Sequence, residues 1–237
     1  MKVEGPFNQY LGRLLAKSDN PEALLEEKIQ ELKHRTSELN QVRQKMADGY
    51  HQVLTALSEA FPEIDLEDPN LKDSHNRMAR ALIEVCSGLG SKNSDAINTT
   101  FPADDYNEVI ILKNIDFTSL CSHHFFPFQG IAHIGYLPDT KNGGKVLGLS
   151  KLARILDVHA QRPQLQERLC QSIMEALKTE LKPAGVMVVI EAKHGCLNCR
   201  GARKREASMI TSALDGKFKD DHKVRSEFLS LISVKGN

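Results

Sequence analysis

Cysteine and histidine residues occur in two short segments that could bind a metal ion. CSHHFFPF contains Cys121 and His124 in C-x-x-H spacing, and KHGCLNCRG contains His194, Cys196 and Cys199. Thiolate and imidazole are the ligands that zinc prefers. Cys121, His124 and Cys196 would leave a fourth position open for water, as in a catalytic zinc site. Cys199 or His194 as a fourth ligand would give a structural site.

Spacing alone leaves other interpretations open. The two segments are too far apart for a zinc finger but could clamp a structural zinc, and C-x-x-C alone could be a redox pair. The thiols could also be unliganded. Successive side chains of a regular strand point to opposite faces, so His123 would face away from His124. A kink or bulge near Pro127 would bring His123 beside a metal-bound water, where it could transfer protons.

Several cationic side chains could bind a phosphorylated ligand. VLGLSKLARIL places Ser150 and Lys151 at a predicted helix start, where backbone N–H groups attract anions, and Arg154 lies on the same helical face. The further cations are Arg77, Arg80 and Arg200. Taken singly, each is typical of solvated surface charge. If they converge, the ligand carries several phosphates.

PQLQERL places two polar residues, Gln166 and Glu167, in an otherwise apolar predicted helix. A carboxylate that faces a pocket can accept hydrogen bonds from a ring N–H and an exocyclic amine, which is the edge that guanine offers. Alternatively, Glu167 pairs with Arg168 or Lys178 on the helix surface.

The elements that position these residues form an α+β pattern. N-terminal helices, the first capped by Asn20, precede two strands (EVIILKNIDF, FFPFQGIAHIGYLP), two helices (LSKLARILDVHAQ and one starting at Pro163), two strands (PAGVMVVIEAKHG, REASMITSAL) and a closing helix. This β-β-α-α-β-β order predicts a four-stranded antiparallel sheet with helices on one face. Pro127 and Gly130 indicate an irregular or edge portion. We expect a helical extension over residues 1–65 and a catalytic domain over 66–237.

Composition excludes some classes of partner. Lys+Arg and Asp+Glu both number 31 in the 237 residues, whereas binding to nucleic-acid phosphates needs a basic excess. No apolar run approaches the roughly 18 residues of a membrane span, and the N-terminus lacks an apolar run of signal-peptide type. Five cysteines, not spaced as a disulfide framework, predict reduced thiols in a cytoplasmic protein. Neither nucleic acid nor a membrane is a predicted partner.

The motifs CSHH, GYLP, VLGLSKLARI, AQRPQLQERL and HGCLNCRG, in this order, resemble the GTP cyclohydrolase I family. The resemblance runs from about Asn76 to EFLSLI near the C-terminus. It implies the tunnelling fold, with pentamers stacked into a homodecamer and active sites at subunit boundaries. It also implies zinc-dependent hydrolysis of GTP to formate and 7,8-dihydroneopterin triphosphate, the first step of pterin and folate biosynthesis.

The resemblance further implies a role for each candidate residue. The zinc ligands are Cys121, His124 and Cys196. The catalytic residues are His123, which protonates the purine, His194, Ser150 and Gln166. The guanine-recognising pair is Gln166 and Glu167. The triphosphate and ribose contacts are Ser150, Lys151, Arg154 and Arg200, with Arg77 and Arg80 supplied by a neighbouring subunit.

Two positions depart from the family pattern. Ser122 stands where the family usually has an acid, which would orient ligands and tune metal affinity. Cys199 stands where the family has no metal ligand. The alternative function is therefore a zinc-binding paralogue that is non-catalytic or stops at a ring-opened formyl intermediate.

Overall fold

A computed structural model of the chain describes residues 20–234. The chain divides between Ile83 and Glu84 into two compact units. The predicted domain boundary at residues 65 and 66 stays a prediction. The expectation for the extreme N-terminus, that it carries no apolar leader, lies outside the described residues. Within the described range, no helix is both long enough and apolar enough to cross a membrane.

The first unit contains one long helix, α1 (Pro21–Ala60), and most of a second, α2 (Ser74–Val85). The Asn20 side chain caps α1 by accepting a hydrogen bond from the Ala23 N–H at 3.2 Å, and Pro21 takes the first helical position, as the sequence predicts. Pro62 follows the end of α1. The helix is continuous from Pro21 to Ala60.

The main sheet of the second unit has four antiparallel neighbours in the order β2 (Ile110–Cys121), β3 (Pro127–Leu137), β6 (Gly185–His194) and β7 (Met209–Gly216). This confirms an α+β fold. The predicted four strands gain a fifth, β5 (Pro163–Gln164), which lies parallel to the end of β2. A separate two-stranded ribbon pairs β1 (Thr100–Pro102) with β4 (Lys145–Leu147), and short helices α3 (Asn93–Ala96) and α6 (Gly195–Asn198) complete the connections.

Helices cover both faces of the sheet, so the prediction of helices on one face is wrong. On one face, α4 (Ser150–Ala160) and α5 (Gln166–Leu181) share a core with alternate residues of β6. The intervening residues of β6 are also apolar and pack on two C-terminal helices, α7 (Lys217–Asp220) and α8 (His222–Ser233). A strand with two apolar faces must be covered on both sides.

Two further expectations concern local structure. Pro127 and Gly130 are expected in an irregular or edge portion; they lie in β3, in the middle of the sheet and not at its edge, and the irregular backbone is the turn just before Pro127. Pro127 is tolerated because it is the first residue of the strand, and a Cβ on Gly130 would overlap the Glu191 carbonyl oxygen of β6. Pro163 does not start a helix: it belongs to β5, and α5 begins at Gln166.

Candidate active site

The histidines of CSHH lie in a tight turn, not in a strand. Strand β2 ends at Cys121, whose N–H donates to the Phe126 carbonyl oxygen at 2.8 Å, and the Phe125 N–H donates back to the Cys121 carbonyl oxygen at 2.8 Å. Phe125 has a positive φ of 56°, which closes the loop. The two histidines therefore do not lie in a regular strand. The turn directly before Pro127, and not strand alternation, sets their directions, and it leaves His123 beside Cys121.

The turn and helix α6 bring together the three predicted metal ligands. The ligand atoms of Cys121, His124 and Cys196 all lie within 4.8 Å of one another, and the two sulfur atoms are 3.9 Å apart. No other group of three or more His, Cys, Asp or Glu side chains converges in this way among residues 20–234. Cys121 is buried and His124 is exposed, so the group opens to solvent on one side.

The chemistry of this donor set fits a zinc ion. Two thiols and one imidazole are soft and borderline ligands of the kind that zinc binds. Burial is the main cause that raises the pKa of the Cys196 thiol. The hydrogen bond and the charge of Cys121 raise it further. A bound divalent cation reverses this effect, because a coordinating thiol is deprotonated. Two adjacent thiolates are thus unfavourable without a cation and favourable around one.

The two residues that could have closed the site point elsewhere. The exposed Cys199 donates from Sγ to the Gly195 carbonyl oxygen at 2.8 Å. His194 is bonded through Nε2 to Gln166 Oε1 at 2.8 Å. His123 lies beside the group, with Nδ1 3.8 Å from Cys121 Sγ. The arrangement therefore offers three protein ligands with an imidazole next to them.

Gln166 is buried and joins helix α5 to two strands through hydrogen bonds. Its side chain is 1% exposed, and its Nε2 lies within hydrogen-bond distance of three acceptors on β6 and β7. These acceptors are the carbonyl oxygens of Ile190 (3.1 Å) and Met209 (2.8 Å) and the Thr211 hydroxyl (3.2 Å). The side chain is engaged within the protein, so the predicted contact of Gln166 with guanine stays a prediction.

These hydrogen bonds of Gln166 also fix the tautomer of His194. Carbonyl oxygens only accept hydrogen bonds, so the Gln166 amide nitrogen must face them and its oxygen must face His194. His194 Nε2 therefore carries the proton and donates it, which leaves Nδ1 with a lone pair. The ring stacks on Phe128, with centroids 4.6 Å apart and planes inclined by 2°. Burial lowers the pKa of His194, and the nearby Glu167 opposes this effect.

Glu167 lines a cavity of about 390 Å³ between α5 and β7. The other lining residues are Gln171, Met174, Thr211, Ser212, Ala213 and Leu214. The alternative partner Lys178 instead forms an ion pair with Asp215 at 3.0 Å. Glu167 lines a cavity, and among residues 20–234 it forms an ion pair with neither Arg168 nor Lys178, so the carboxylate is available to a ligand.

The predicted cations differ in their surroundings. Lys151 is buried in the first turn of α4, where its Nζ donates to Asn98 Oδ1 at 2.5 Å, whereas Ser150, Arg154 and Arg200 are exposed. The charge of Arg200 lowers the pKa of Cys196, although burial outweighs it, so this guanidinium acts on the metal group.

Arg77 and Arg80 belong to the first unit and make local contacts there. Arg77 donates to the Asn70 carbonyl oxygen and to the Ser74 hydroxyl, and Arg80 pairs with Asp73 at 3.5 Å. Their predicted convergence on the site stays a prediction. Sequence reasoning missed Asn98, which belongs to no motif, and gave no role to Phe128, the last residue of CSHHFFPF. Only the three-dimensional contacts reveal them.

An α+β scaffold presents two thiols and an imidazole in one open group that could hold a metal ion, and the His123 imidazole lies beside this group. The sequence profile described as GTP cyclohydrolase I matches residues 29–233. GTP cyclohydrolase 1 of Listeria welshimeri serovar 6b is 45% identical over 190 residues, which covers 80% of this chain and 96% of that protein. The chain therefore belongs to the GTP cyclohydrolase I family, as the motifs predict.

Two further relatives give the same picture. GTP cyclohydrolase 1 of Thermobifida fusca is 44% identical over 169 residues, covering 70% of this chain and 80% of that protein. GTP cyclohydrolase 1 of Thermoanaerobacter pseudethanolicus is 42% identical over 193 residues, covering 81% and 98%. The profile match also includes residues 29–75, where the sequence motifs gave no signal.

Proposed function

We propose that the chain is a zinc-dependent GTP cyclohydrolase I, which hydrolyses GTP, releases formate and forms 7,8-dihydroneopterin triphosphate. The observation that carries this proposal is the cluster of Cys121, His124 and Cys196, with His123 beside it. The name GTP cyclohydrolase 1, shared by relatives that align over most of their length, supports the substrate and the enzyme class.

Cys121, His124 and Cys196 hold the zinc ion in this proposal. When bound with three protein ligands, zinc supplies an activated water near neutral pH. The Ser122 N–H donates to the Gln164 carbonyl oxygen at 3.0 Å, which ties the turn to β5 through a main-chain contact.

His123 is the proton donor to the purine. It is exposed, and its Nδ1 lies 3.8 Å from Cys121 Sγ, close to the ligands but outside their set. Imidazole is the side chain that most often acts as a general acid or base in enzymes. Proton donation to N7 makes the adjacent ring carbon electrophilic enough for hydrolysis.

His194 serves the later proton transfers. Its Nε2–H is committed to Gln166, and stacking on Phe128 restrains the ring. The Nδ1 atom, which has a free lone pair, accepts a proton as the ribose opens and rearranges. Gln166 acts here by positioning His194, and the exposed Ser150 hydroxyl at the start of α4 provides a second proton-transfer group.

Substrate is held at both ends. Glu167 accepts the N–H and amine hydrogen bonds of guanine from the wall of its cavity. The triphosphate contacts Lys151, Arg154 and Arg200, joined by Arg77 and Arg80 of a neighbouring subunit. Binding at both ends places the reacting carbon near the three metal ligands.

The working form is a homodecamer of two stacked pentamers with the tunnelling fold. In the described chain β7 pairs on one side only, with β6, so its outer edge is available to another copy. All five cysteines are free thiols, which suits a cytoplasmic enzyme.

The test is incubation of the purified protein with GTP, with and without a chelator, followed by mass analysis of the product. We expect formate and dihydroneopterin triphosphate, and loss of both on chelation. Accumulation of a ring-opened formyl product would establish the early-stopping alternative. A zinc-loaded protein without turnover would establish the non-catalytic one.

A further inference from the structure

Lys151 is a buried cation with an unusual partner. It is only 9% exposed, although a buried ammonium normally needs an opposite charge. Its Nζ donates to the neutral Oδ1 of Asn98 at 2.5 Å. Across residues 20–234, none of the ion pairs includes Lys151. The ammonium is therefore oriented by an amide, and its charge is left for a ligand.

The β1–β4 ribbon is what brings Asn98 to Lys151. Thr100 pairs with Leu147, so the chain before β1 and the chain after β4 leave the ribbon at the same end. Asn98 precedes that end and Lys151 follows it. The ribbon is attached to the main sheet through Tyr136, whose buried hydroxyl accepts a hydrogen bond from the Leu147 N–H at 2.8 Å.

We propose that Asn98 is a positioning residue for triphosphate binding, because its carboxamide oxygen holds the Lys151 ammonium in place without neutralising it. One ammonium N–H is committed to Asn98, and two remain for phosphate oxygens. The carboxamide oxygen also accepts from the Thr99 hydroxyl at 3.1 Å, which restrains the amide. This inference rests on the proposed function, in which Lys151 contacts the triphosphate.

An aspartate at position 98 distinguishes this role from a purely structural one. Asn98→Asp keeps the acceptor oxygen and adds an ion pair with Lys151, so a residue needed only for packing would tolerate the change. In the proposed role the same carboxylate is harmful, because it cancels the ammonium charge and repels phosphate oxygens. Asn98→Ala removes the acceptor but leaves the charge intact, so its effect is smaller.

The experiment compares Asn98→Asp, Asn98→Ala and Lys151→Met in the full-length protein. Asn107→Asp, an exposed loop position, is the control that adds the same charge elsewhere. Calorimetry measures binding of inorganic tripolyphosphate, product formation gives KM and kcat for GTP, and circular dichroism gives the melting temperature.

We expect Asn98→Asp to weaken tripolyphosphate binding and to raise KM about tenfold, equivalent to about 1.4 kcal/mol. Asn98→Ala should weaken binding about threefold, a smaller loss because one hydrogen bond is removed without adding a repulsive charge. The value of kcat should change less than KM, and the melting temperature of Asn98→Asp should not fall. Asn107→Asp should match the wild type.

Two results overturn the inference in different ways. If Lys151→Met loses tripolyphosphate affinity but both Asn98 variants keep it, Asn98 has no positioning role and the proposed function stands. If Lys151→Met also keeps full affinity, the assignment of Lys151 to the triphosphate is itself wrong. Should Asn98→Asp fail to fold, Asn98→Ala decides alone: an unchanged affinity contradicts the inference, and a weakened affinity with unchanged kcat supports it.

Discussion

The metal side and the phosphate side of the site are held by different kinds of contacts. On the metal side, Cys121–His124 with Cys196, the ligands follow paired strand ends and a turn closed by main-chain hydrogen bonds. On the phosphate side, Lys151 with the β1–β4 ribbon, position depends on side chains such as Asn98 and Tyr136. Main-chain contacts survive most substitutions, so activity should be lost on the metal side only through changes at the three ligands and at His123. Changes on the phosphate side should have graded effects.

The largest effect should come from the paired cysteines of the C-x-x-C segment. Cys196→Ser removes a ligand and should abolish zinc binding and lower kcat by about a thousandfold or more, since the metal contributes several kcal/mol to transition-state stabilisation. Cys199→Ser should keep the metal and change kcat less than about twofold, because Cys199 Sγ bonds to the Gly195 carbonyl oxygen. Metal analysis and GTP turnover on both variants check this. Zinc loss in Cys199→Ser would show a fourth protein ligand and break the comparison.

The metal side could be predicted from the sequence because its chemistry limits the residue types. Few side chains bind zinc, and the CSHH and HGCLNCRG motifs name them directly. The turn that carries His123 was not predictable in the same way. HHFFPF has strand propensity, and the loop closes only because Phe125 takes a left-handed conformation that its residue type does not favour.

The phosphate side could be predicted only in part. Lys151 was found from its position at a helix start, but its partner Asn98 lies 53 positions away and belongs to no motif. Gln166 was singled out as a polar residue in an apolar helix, yet its partners are main-chain and hydroxyl oxygens of two strands. Such contacts depend on tertiary packing, which local spacing does not encode.

A second prediction concerns Gln166, which joins α5, β6, β7 and His194. Gln166→Leu leaves its buried partners without a donor and should lower the free energy of unfolding by about 2–4 kcal/mol. It should also lower kcat about a hundredfold, because His194 loses the contact that fixes its tautomer. Denaturant unfolding and steady-state kinetics measure the two effects.

The control for this substitution is Gln171→Leu, the same change at an exposed position of the same helix. It should alter the free energy of unfolding by less than about 0.5 kcal/mol. If both variants are equally stable, the buried amide of Gln166 does not join the strands as described.

A third prediction concerns the pH dependence of stability in the helix that carries Lys151. His159, in the same helix as Lys151, is bonded to Asn93 at 3.0 Å, and burial, then the charge of Arg162, lowers its pKa from 6.5 to about 4. As the pH falls below 6.5, the His159 imidazole is protonated in the unfolded chain. In the folded chain the imidazole stays neutral until the pH reaches about 4. Stability is therefore complete above pH 6.5 and falls across this window, by up to about 2 kcal/mol after allowance for partial exposure of the ring.

The matched variant is His159→Gln, which can still donate to Asn93 but does not titrate. Unfolding free energies measured at pH 7, 5.5 and 4.5 should fall more steeply for the wild type than for this variant. The difference between the two profiles isolates His159 from the other histidines. Parallel profiles would mean that the imidazole is not buried as a neutral group.

The smallest effect should come from an ion pair outside both sides of the site. Lys178 and Asp215 lie 3.0 Å apart with side chains 46% and 33% exposed, so solvent screens their attraction. Lys178→Ala should change the free energy of unfolding by less than about 1 kcal/mol and leave the KM for GTP unchanged. Asp215→Ala should have the same small effect, since both variants break the same pair. A raised KM for Lys178→Ala alone would mean that Lys178 supports substrate binding, which would contradict its description as a residue outside the site.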